Sequence, residues 1–433
     1  MRSHDGRKIP NPPRVSVVTP SWNGLSHLEP CYRSLRQLDY PPESLELILV
    51  DNGSTDGSIR FMQQHFPEVK IVRNSTNLGF CKANNQGAQA AQGEYVAFLN
   101  NDTRVHPAWL QELVAAVRDD PEVVCAGSKL LNWEGDRLDF AGGSVSFHGS
   151  GFQPGHGSSR VDPFSENRPV LFACGGSMLI DRQVFLDCGG FDEDFFAYLE
   201  DVDLGWRLWL LGYKVVLVPT AITYHRFRGT TRRLSRPRVV ALTERNALML
   251  IMKNYDDENL AHILPAALLL MMERAFISSD ADRQRYKLDG LQREAVHYAA
   301  EPGPLMGGDA RQKSRSAREV IGQEGAWTAA GRAATKAWRV LCRWFIRRFN
   351  SELEAVPKLT LSYFVAADDV LESLPRVMEK RAEIQQRRKR SDAQICHLFE
   401  EPFRSDFHSV RYKRLQDQLI QLFDIREVFR PSK

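Results

Sequence analysis

The chain has 433 residues, with 57 Lys and Arg against 54 Asp and Glu, a formal net charge of +3, and 43% hydrophobic residues. This is the make-up of an ordinary globular protein, long enough for two or three domains. So small a net charge gives no global argument for nucleic-acid binding, and no nucleic-acid partner is expected. Seven cysteines (31, 81, 125, 174, 188, 342 and 396) form no Cys-x-x-Cys pair and are odd in number, which reads as reduced thiols in a cytoplasmic protein. Met1 to Lys8 carries no apolar signal-peptide stretch, and the longest apolar run, Ile263 to Met272, ends at Glu273, too short to span a bilayer. The triplets starting at Asn52, Asn74 and Asn101 match a glycosylation acceptor but read better as turn chemistry in a chain without a signal.

From residue 15 to about 225, strand-like and helix-like stretches alternate. Val15 to Pro20 reads as a strand and Leu25 to Leu38 as a helix. Leu45 to Val50 is the second strand, with Asp56 to Phe66 as its crossover helix. Lys70 to Arg73 is a short strand, and Lys82 to Ala91 is Ala- and Gln-rich and helical. Tyr95 to Leu99 is the next strand, and Pro107 opens a helix that runs to Arg118. Val123 to Gly127 continues the pattern. Residues 141–169, rich in Gly, Ser, His and Pro, read as a long loop. Order resumes at Val170 to Ala173 and Ser177 to Ile180. Glu200 to Leu211 is a helix stopped by Gly212, and Lys214 to Pro219 is the last strand. Such alternation argues for an α/β domain with a mostly parallel sheet.

Beyond about residue 245 the pattern becomes helical. The division expected is an N-terminal extension over 1–14, a catalytic domain over 15–244 and a mainly α-helical C-terminal region over 245–433, with a Gly/Pro/basic linker at 301–316. Within the helical region, residues 332–349 form a basic amphipathic pattern. Trp338, Leu341, Phe345 and Phe349 share one face and Lys336, Arg339, Arg343 and Arg347 another. Such a helix either lies on a membrane surface or packs on the catalytic domain with a solvated rim.

Three acid-bearing turns read as sitting at the ends of apolar strands, at Asp51-Asn52-Gly53-Ser54, Asn100-Asn101-Asp102-Thr103 and Glu200-Asp201-Val202-Asp203. Ligands of open α/β sheets gather beyond the carboxyl ends of the strands. Asp51 can accept from the N3–H of a pyrimidine, or be turn chemistry and nothing more. Asp102 can ligate an oxygen-preferring ion such as Mg2+ or Mn2+, with phosphates and waters completing the shell, or make an Asx-turn. Glu200 and Asp201 complement a helix dipole, or supply a general base to an acceptor hydroxyl. Arg207 reads as structural. His225 after the last strand is a structural residue or a second metal ligand, and Arg226, Arg228, Arg232 and Arg233 can pair with phosphate. Thr19-Pro20-Ser21-Trp22-Asn23 offers N–H groups and hydroxyls to an anion or base edge, or is an ordinary N-cap cluster. The enzymatic reading requires Asp51, Asp102 and Asp201 to meet around one crevice.

These motifs, in this order, resemble glycosyltransferase family 2, the inverting enzymes of GT-A fold. The matching stretches are Val-Val-Thr-Pro-Ser-Trp-Asn-Gly, Leu-Val-Asp-Asn-Gly-Ser-Thr-Asp-Gly, Asn-Leu-Gly-Phe-Cys-Lys-Ala-Asn-Asn-Gln-Gly and Phe-Leu-Asn-Asn-Asp-Thr. The run from Gly189 to Arg207, Gly-Gly-Phe-Asp-Glu-Asp-Phe-Phe-Ala-Tyr-Leu-Glu-Asp-Val-Asp-Leu-Gly-Trp-Arg, completes the set. The flavour is similar to the bacterial rhamnosyltransferase-like branch, which builds surface polysaccharides and lipid-linked glycans.

The resemblance implies a nucleotide-diphosphate sugar donor (UDP- or dTDP-sugar), a glycan or lipid-linked acceptor, a divalent metal, and work at the inner face of the cell membrane with peripheral membrane contact. Carried over by motif, Thr19, Ser21, Asn23 and Asp51 line the base and ribose pocket, and Gly79, Lys82, Asn84 and Asn100 flank the ribose-diphosphate. Asp102 and His225 hold the metal, and Asp201 is the catalytic base supported by Glu200. The metal triplet here is Asn100-Asn101-Asp102 rather than Asp-x-Asp, leaving one charged ligand. A nucleotidyltransferase, or a non-catalytic protein that binds nucleotide sugars, stands as the alternative. The first would carry a Gly-rich phosphate loop after strand one, and Thr-Pro-Ser-Trp-Asn is not that.

Overall fold

The structure is a computed structural model that describes residues 11–159, 166–226, 235–279, 281, 356–405 and 407–430. The linker at 301–316, the amphipathic stretch at 332–349 and Arg228, Arg232 and Arg233 lie outside the described residues. The chain forms two compact units, residues 1–275 together with 361–433, and residues 276–360. Everything below concerns the first.

Its centre is a mixed, mostly parallel sheet. Strands β1 (Val15–Ser21), β2 (Leu45–Asp51), β3 (Lys70–Arg73) and β4 (Tyr95–Leu99) run parallel, with β1 between β2 and β4. Each is a short run ended by a Gly-, Asn- or Asp-rich turn, and the first three return through helices: α1 (Leu25–Leu35), α2 (Ser58–His65) and α3 (Phe80–Ala90). After β5 (Thr103–Val105) and α4 (Trp109–Asp119) come β6 (Val123–Asn132) and β7 (Leu138–Phe140). The sheet continues past β4 through β11 (Ser177–Asp181), antiparallel to both β4 and β6, and then through β12 (Lys214–His225), parallel to β6. The antiparallel β11 insert makes the sheet mixed. This is the GT-A architecture, with the helical region following it.

One face of the sheet packs Val15, Val17, Leu49 and Leu99 against Leu28, Tyr32, Leu110 and Leu113 of α1 and α4. On the other face Phe98 meets Phe185 and Phe191 at centroid distances of 4.9 and 5.1 Å. Each such side chain, fully buried, contributes roughly 1.5–3 kcal/mol. Phe185 belongs to α5 (Arg182–Asp187), a six-residue helix with Asp181 as its N-cap.

The loop expected at 141–169 holds the hairpin β8 (Ser144–Val145) and β9 (Gly151–Phe152) and the short β10 (Arg168–Pro169). Residues 141–149 are buried, because Phe147 N donates to Pro402 O (2.8 Å) and Ser144 Oγ to Phe399 O (2.5 Å). The C-terminal chain therefore roofs this segment. The last strand, expected to stop at Pro219, passes an irregularity between Val218 and Ile222 and continues to His225.

Helix α6 (Glu200–Leu210) is followed, after β12, by α7 (Arg236–Asn254), α8 (Asp257–Ile277) and α9 (Lys358–Arg387). The apolar run at 263–272 is the middle of α8, which at 21 residues is long and apolar enough to cross a membrane; 44% of its most apolar window is buried in protein.

Helix α7 is bound to α6 by charge. Lys253, 1% exposed, places Nζ 2.5 Å from Asp192 Oδ2 and 2.8 Å from Asp203 Oδ1, and Arg207 Nε lies 2.8 Å from Asp203 Oδ2. Burial alone would raise both carboxyls; Lys253, with Lys380 on Asp192 and Arg207 on Asp203, outweighs it and holds both below the usual carboxylate range. Removing the shared cation leaves buried carboxylates undercompensated. Lys253→Ala should lower stability by about 3 kcal/mol, since Arg207 and Lys380 remain. By calorimetry the melting temperature should fall by roughly 3–5 °C for a unit of this size; a shift under about 1 °C would show that the cluster needs no cation at this position.

Candidate active site

The register of β1 on β2 pairs Ser21 with Asp51, so the two strand ends open side by side. Asp51 is 1% exposed. Its Oδ2 accepts from Ser54 N at 3.1 Å, while its buried Oδ1 has no hydrogen-bond partner among the described residues. Buried acceptors are nearly always satisfied, so this atom is positioned for a ligand donor. Asn52 Nδ2 donates to Asn77 Oδ1 (3.1 Å) and Gly79 O (3.0 Å), tying the turn after β2 to the start of α3. Gly79 has φ +90°, and a Cβ there would lie 2.6 Å from the Phe196 ring, so only glycine fits.

The other residues implied for the nucleotide are placed as follows. Thr19 is fully buried, on the same strand face as Val17. Ser21 Oγ accepts from Asn101 Nδ2 (2.9 Å), and Asn23 Oδ1 accepts from Thr55 N (2.7 Å). Lys82 pairs with Glu193 at 3.3 Å, and buried Asn84 donates to Phe80 O one turn back, leaving its Oδ1 without a partner among the described residues. Ser21, Asn23 and Lys82 thus hold loops together, whereas Thr19, Asp51 and Asn84 each keep a buried side-chain oxygen without a hydrogen-bond partner among the described residues.

At the end of β4, Asn100 N donates to Gly176 O (2.9 Å). Strand β5 pairs antiparallel with β12, placing His225 opposite Thr103 and hence beside Asp102. His225 Nε2 lies 3.4 Å from Asp102 Oδ1, and Nδ1 lies 2.6 Å from Oδ2 of Asp139 on β7. Burial would lower the imidazole's affinity for a proton, but the two flanking carboxylates outweigh it and raise its pKa to about 10. Arg226 N donates to Asp102 O, and the Arg226 guanidinium stacks 4.1 Å over Trp133.

A carboxylate and an imidazole facing each other at this distance, with a second carboxylate behind the imidazole, suit a divalent ion: Asp102 and His225 as ligands, Asp139 fixing the ring. Among the described residues no group of three or more His, Cys, Asp or Glu forms a complete cage. Donor phosphates and waters would have to supply the rest, as Mg2+ and Mn2+ tolerate. Asp139 was not anticipated. Its only signal was an acid between two apolar residues in a loosely patterned stretch.

Asp201 sits at the first turn of α6. Its Oδ2 accepts from Gly175 N (3.0 Å) and its Oδ1 from Val202 N (2.9 Å). The turn 174–176 therefore bonds Asn100 on one side and Asp201 on the other. Burial raises the Asp201 carboxyl, partly offset by those two N–H donors. Glu200 is buried, with Oε2 unpartnered among the described residues; burial first, and the Asp201 charge second, push it up to about 8. Two adjacent carboxyls that resist ionising are the usual preparation for acid–base work. A cavity of about 370 Å3 lined by α5, residues 188–193 and α9 lies apart from this turn, and its Arg207, Lys253 and Lys380 are already paired with Asp192 and Asp203.

Fold and site together define a transferase that works on nucleotide-activated sugars. Residues 16–189 match the family described as Glycosyl transferase family 2. The chain is 30% identical over 244 residues to the N-acetylglucosaminyl-diphospho-decaprenol L-rhamnosyltransferase of Mycobacterium tuberculosis, an alignment covering 50% of this chain and 78% of that enzyme. It is 33% identical over 224 residues to the O-antigen biosynthesis protein RfbC of Myxococcus xanthus, covering 49% of this chain and 17% of that protein. Among solved structures, GalNAc-T7 with UDP, GalNAc and Mn2+ aligns at 20% identity and a TM-score of 0.48, over 59% of this chain and 51% of its own. The chain belongs to glycosyltransferase family 2 and is a glycosyltransferase of its rhamnosyltransferase-like branch.

The Glu200 carboxyl has a stability signature. Unfolded, it ionises near 4.5; folded, it resists up to about 8. The native state then binds more protons over that window and loses stability as pH rises through it. Glu200→Gln removes the titration. The melting temperature of the variant minus that of the parent should therefore grow steadily from pH 5 to pH 8. A difference that stays flat would mean the carboxyl is ionised in the fold throughout.

Proposed function

We propose that this protein is an inverting enzyme that moves a hexose from a UDP- or dTDP-sugar, rhamnose among the candidates, to a glycan or lipid-linked acceptor in bacterial envelope polysaccharide synthesis. The observation that carries the reading is the turn 174–176, hydrogen-bonded to Asn100 at the metal end and to Asp201 at the base end. A donor seated over Asp102 would then have its sugar near Asp201. The name of the mycobacterial relative specifies rhamnose and a diphospho-decaprenol acceptor; that likeness supports the choice of donor and acceptor class.

In this mechanism Asp51 Oδ1 accepts from the N3–H of the pyrimidine. Asp102 and His225 would hold a divalent ion, with Asp139 keeping the imidazole in place. Bound there, Mn2+ or Mg2+ supplies charge neutralisation for the departing diphosphate. Asp201 takes the proton of the acceptor hydroxyl as its oxygen attacks the anomeric carbon from the face opposite the nucleotide, and one displacement inverts that carbon. Burial raises the proton affinity of Asp201 in the direction a general base needs. Glu200, neutral at pH 7, keeps a second charge from building beside it. The function should appear as turnover in a panel of UDP-, dTDP- and GDP-sugars with Mn2+. Asp201→Asn should cut turnover by about 10²–10⁴ while UDP still binds in calorimetry, and Asp102→Asn should remove the dependence of UDP binding on Mn2+. Full turnover by Asp201→Asn would take the base role from that residue.

We propose in addition that the enzyme meets its acceptor at a membrane surface. Leu268, Leu269 and Met272 on α8, and Phe364, Val365 and Leu371 on α9, are exposed, more apolar surface than a pair of solvated helices needs. Vesicles containing anionic lipid should retain the protein at low salt and release it partly at high salt; no retention at either salt would assign these helix faces to protein contacts.

A further inference from the structure

Residues 195–199 carry the base into position, and their backbone is unusual. Phe196 (φ 62°, ψ −57°), Tyr198 (φ 72°) and Leu199 (φ 64°, ψ 6°) all have positive φ, and none is glycine. Each such residue stores of order 1–3 kcal/mol and persists only where neighbours over-determine it. Leu199 is the N-cap of α6, so this turn decides where Glu200 and Asp201 emerge.

The neighbours come largely from one place. Asn246 on α7, fully buried, directs Nδ2 at three carbonyls of the turn: Phe195 O (3.1 Å), Ala197 O (2.9 Å) and Tyr198 O (2.8 Å). An amide has two N–H donors, so one is shared between carbonyls. Arg245 orients the amide by donating from Nε to Asn246 Oδ1 (3.0 Å). Its Nη2 also donates to Asp194 O (2.8 Å) and Phe195 O (3.1 Å). From the opposite side Phe80 N, at the start of α3, donates to Phe196 O at 2.7 Å.

We propose that Asn246, held by Arg245, is a positioning residue for the catalytic base: it clamps the strained turn 195–199 and so sets the orientation of Asp201. This rests on the reading of Asp201 as base. Asn246 touches no reacting atom in that scheme. A single amide bonds three carbonyls of the turn, Phe195 O buried and Ala197 O and Tyr198 O half-buried. Although Phe195 O also accepts from Arg245 Nη2 and Ala197 N, Asn246 is the side chain that ties the three together. Without it the turn would relax toward ordinary φ values and carry the first turn of α6 with it.

The test uses the full-length chain in two arms. Hydrogen–deuterium exchange needs no substrate: in Asn246→Ala, peptides spanning 194–201 should exchange at least tenfold faster, while those covering 95–99 and 123–131 keep their protection. Unchanged protection at 194–201 overturns the proposal. The second arm is a kinetic cycle of Asn246→Ala, Asp201→Asn and the double variant, following UDP release from UDP-GlcNAc and dTDP release from dTDP-rhamnose with Mn2+. Asn246→Ala should lower kcat about 100-fold and change UDP affinity less than threefold, and the double variant should be no slower than Asp201→Asn. Multiplicative losses, or an unaltered kcat in Asn246→Ala with the turn loosened, also overturn it. Asn246→Asp guards against a simple cavity effect: it keeps the volume but turns a carboxylate on three carbonyls, so it should match or exceed the loss in Asn246→Ala, and recovery of kcat would count against the clamp. If Asp201→Asn itself turns over freely, the base reading fails while the exchange result still reports on the clamp.

Discussion

The buried ion cluster of Lys253, Asp203, Arg207 and Asp192 is the constraint on which the placement of the turn bearing Asp201 depends. Asp203 follows Asp201 by two residues on α6, so the two side chains project roughly 200° apart around the helix. One faces the Gly175 amide on the cleft side and the other faces Lys253 and Arg207 in the interior. Rotating α6 to move Asp201 would drag Asp203 from its cations. A buried ion pair gains little net stability over apolar packing, but leaving one partner behind is severe, which makes it a device for holding a single register.

The same contacts explain why the helices of 236–275 and 361–433 belong to one compact unit with the sheet. Lys253 and Asn254 of α7 reach Asp203, Lys380 of α9 reaches Asp192, and Arg381 donates from Nη1 to Met252 O and Tyr255 O. Phe399 and Pro402 roof the 144–147 segment. The sheet supplies Asp51 and Asp102 from strand ends, but the turn bearing Asp201 is not a strand end. It is irregular backbone, and helices from the second half of the chain make it rigid.

The two ends of the cleft differ in electrostatics as well as in origin. At the Asp102 end, carboxylates surround an imidazole and raise its proton affinity, an environment that invites a cation. At the Asp201 end, burial raises the proton affinity of two adjacent carboxyls, neither of which is paired with a cation among the described residues. Glycines 175 and 176 separate the two environments. A Cβ on Gly176 would lie 2.8 Å from the Asn100 side-chain amide, so a larger residue there would have to displace that amide.

Much of this was legible in the residues. The alternation of apolar strands with helices over 15–225, the acids after β2 and β4, and the stop of α6 at Gly212 are short-range properties that amino-acid order settles, because period, capping and turn chemistry act over a few residues. The family motifs drew on the same local patterns. What remained out of reach was pairing at long separation. Asp139 meets His225 only because β7 and β12 both pair with β6. Residues 141–149 looked like a solvated loop because the chain that covers them lies some 255 positions away. The contacts of Asn246, one of several polar residues on α7, emerge only when that helix packs against the 195–199 turn. Short-range forces chose the elements and set acids at their ends; tertiary packing brought Asp102 against His225 and linked Asn100 to Asp201 through the turn 174–176, since Coulomb and hydrogen-bond energies depend on distances in space that position along the chain does not encode.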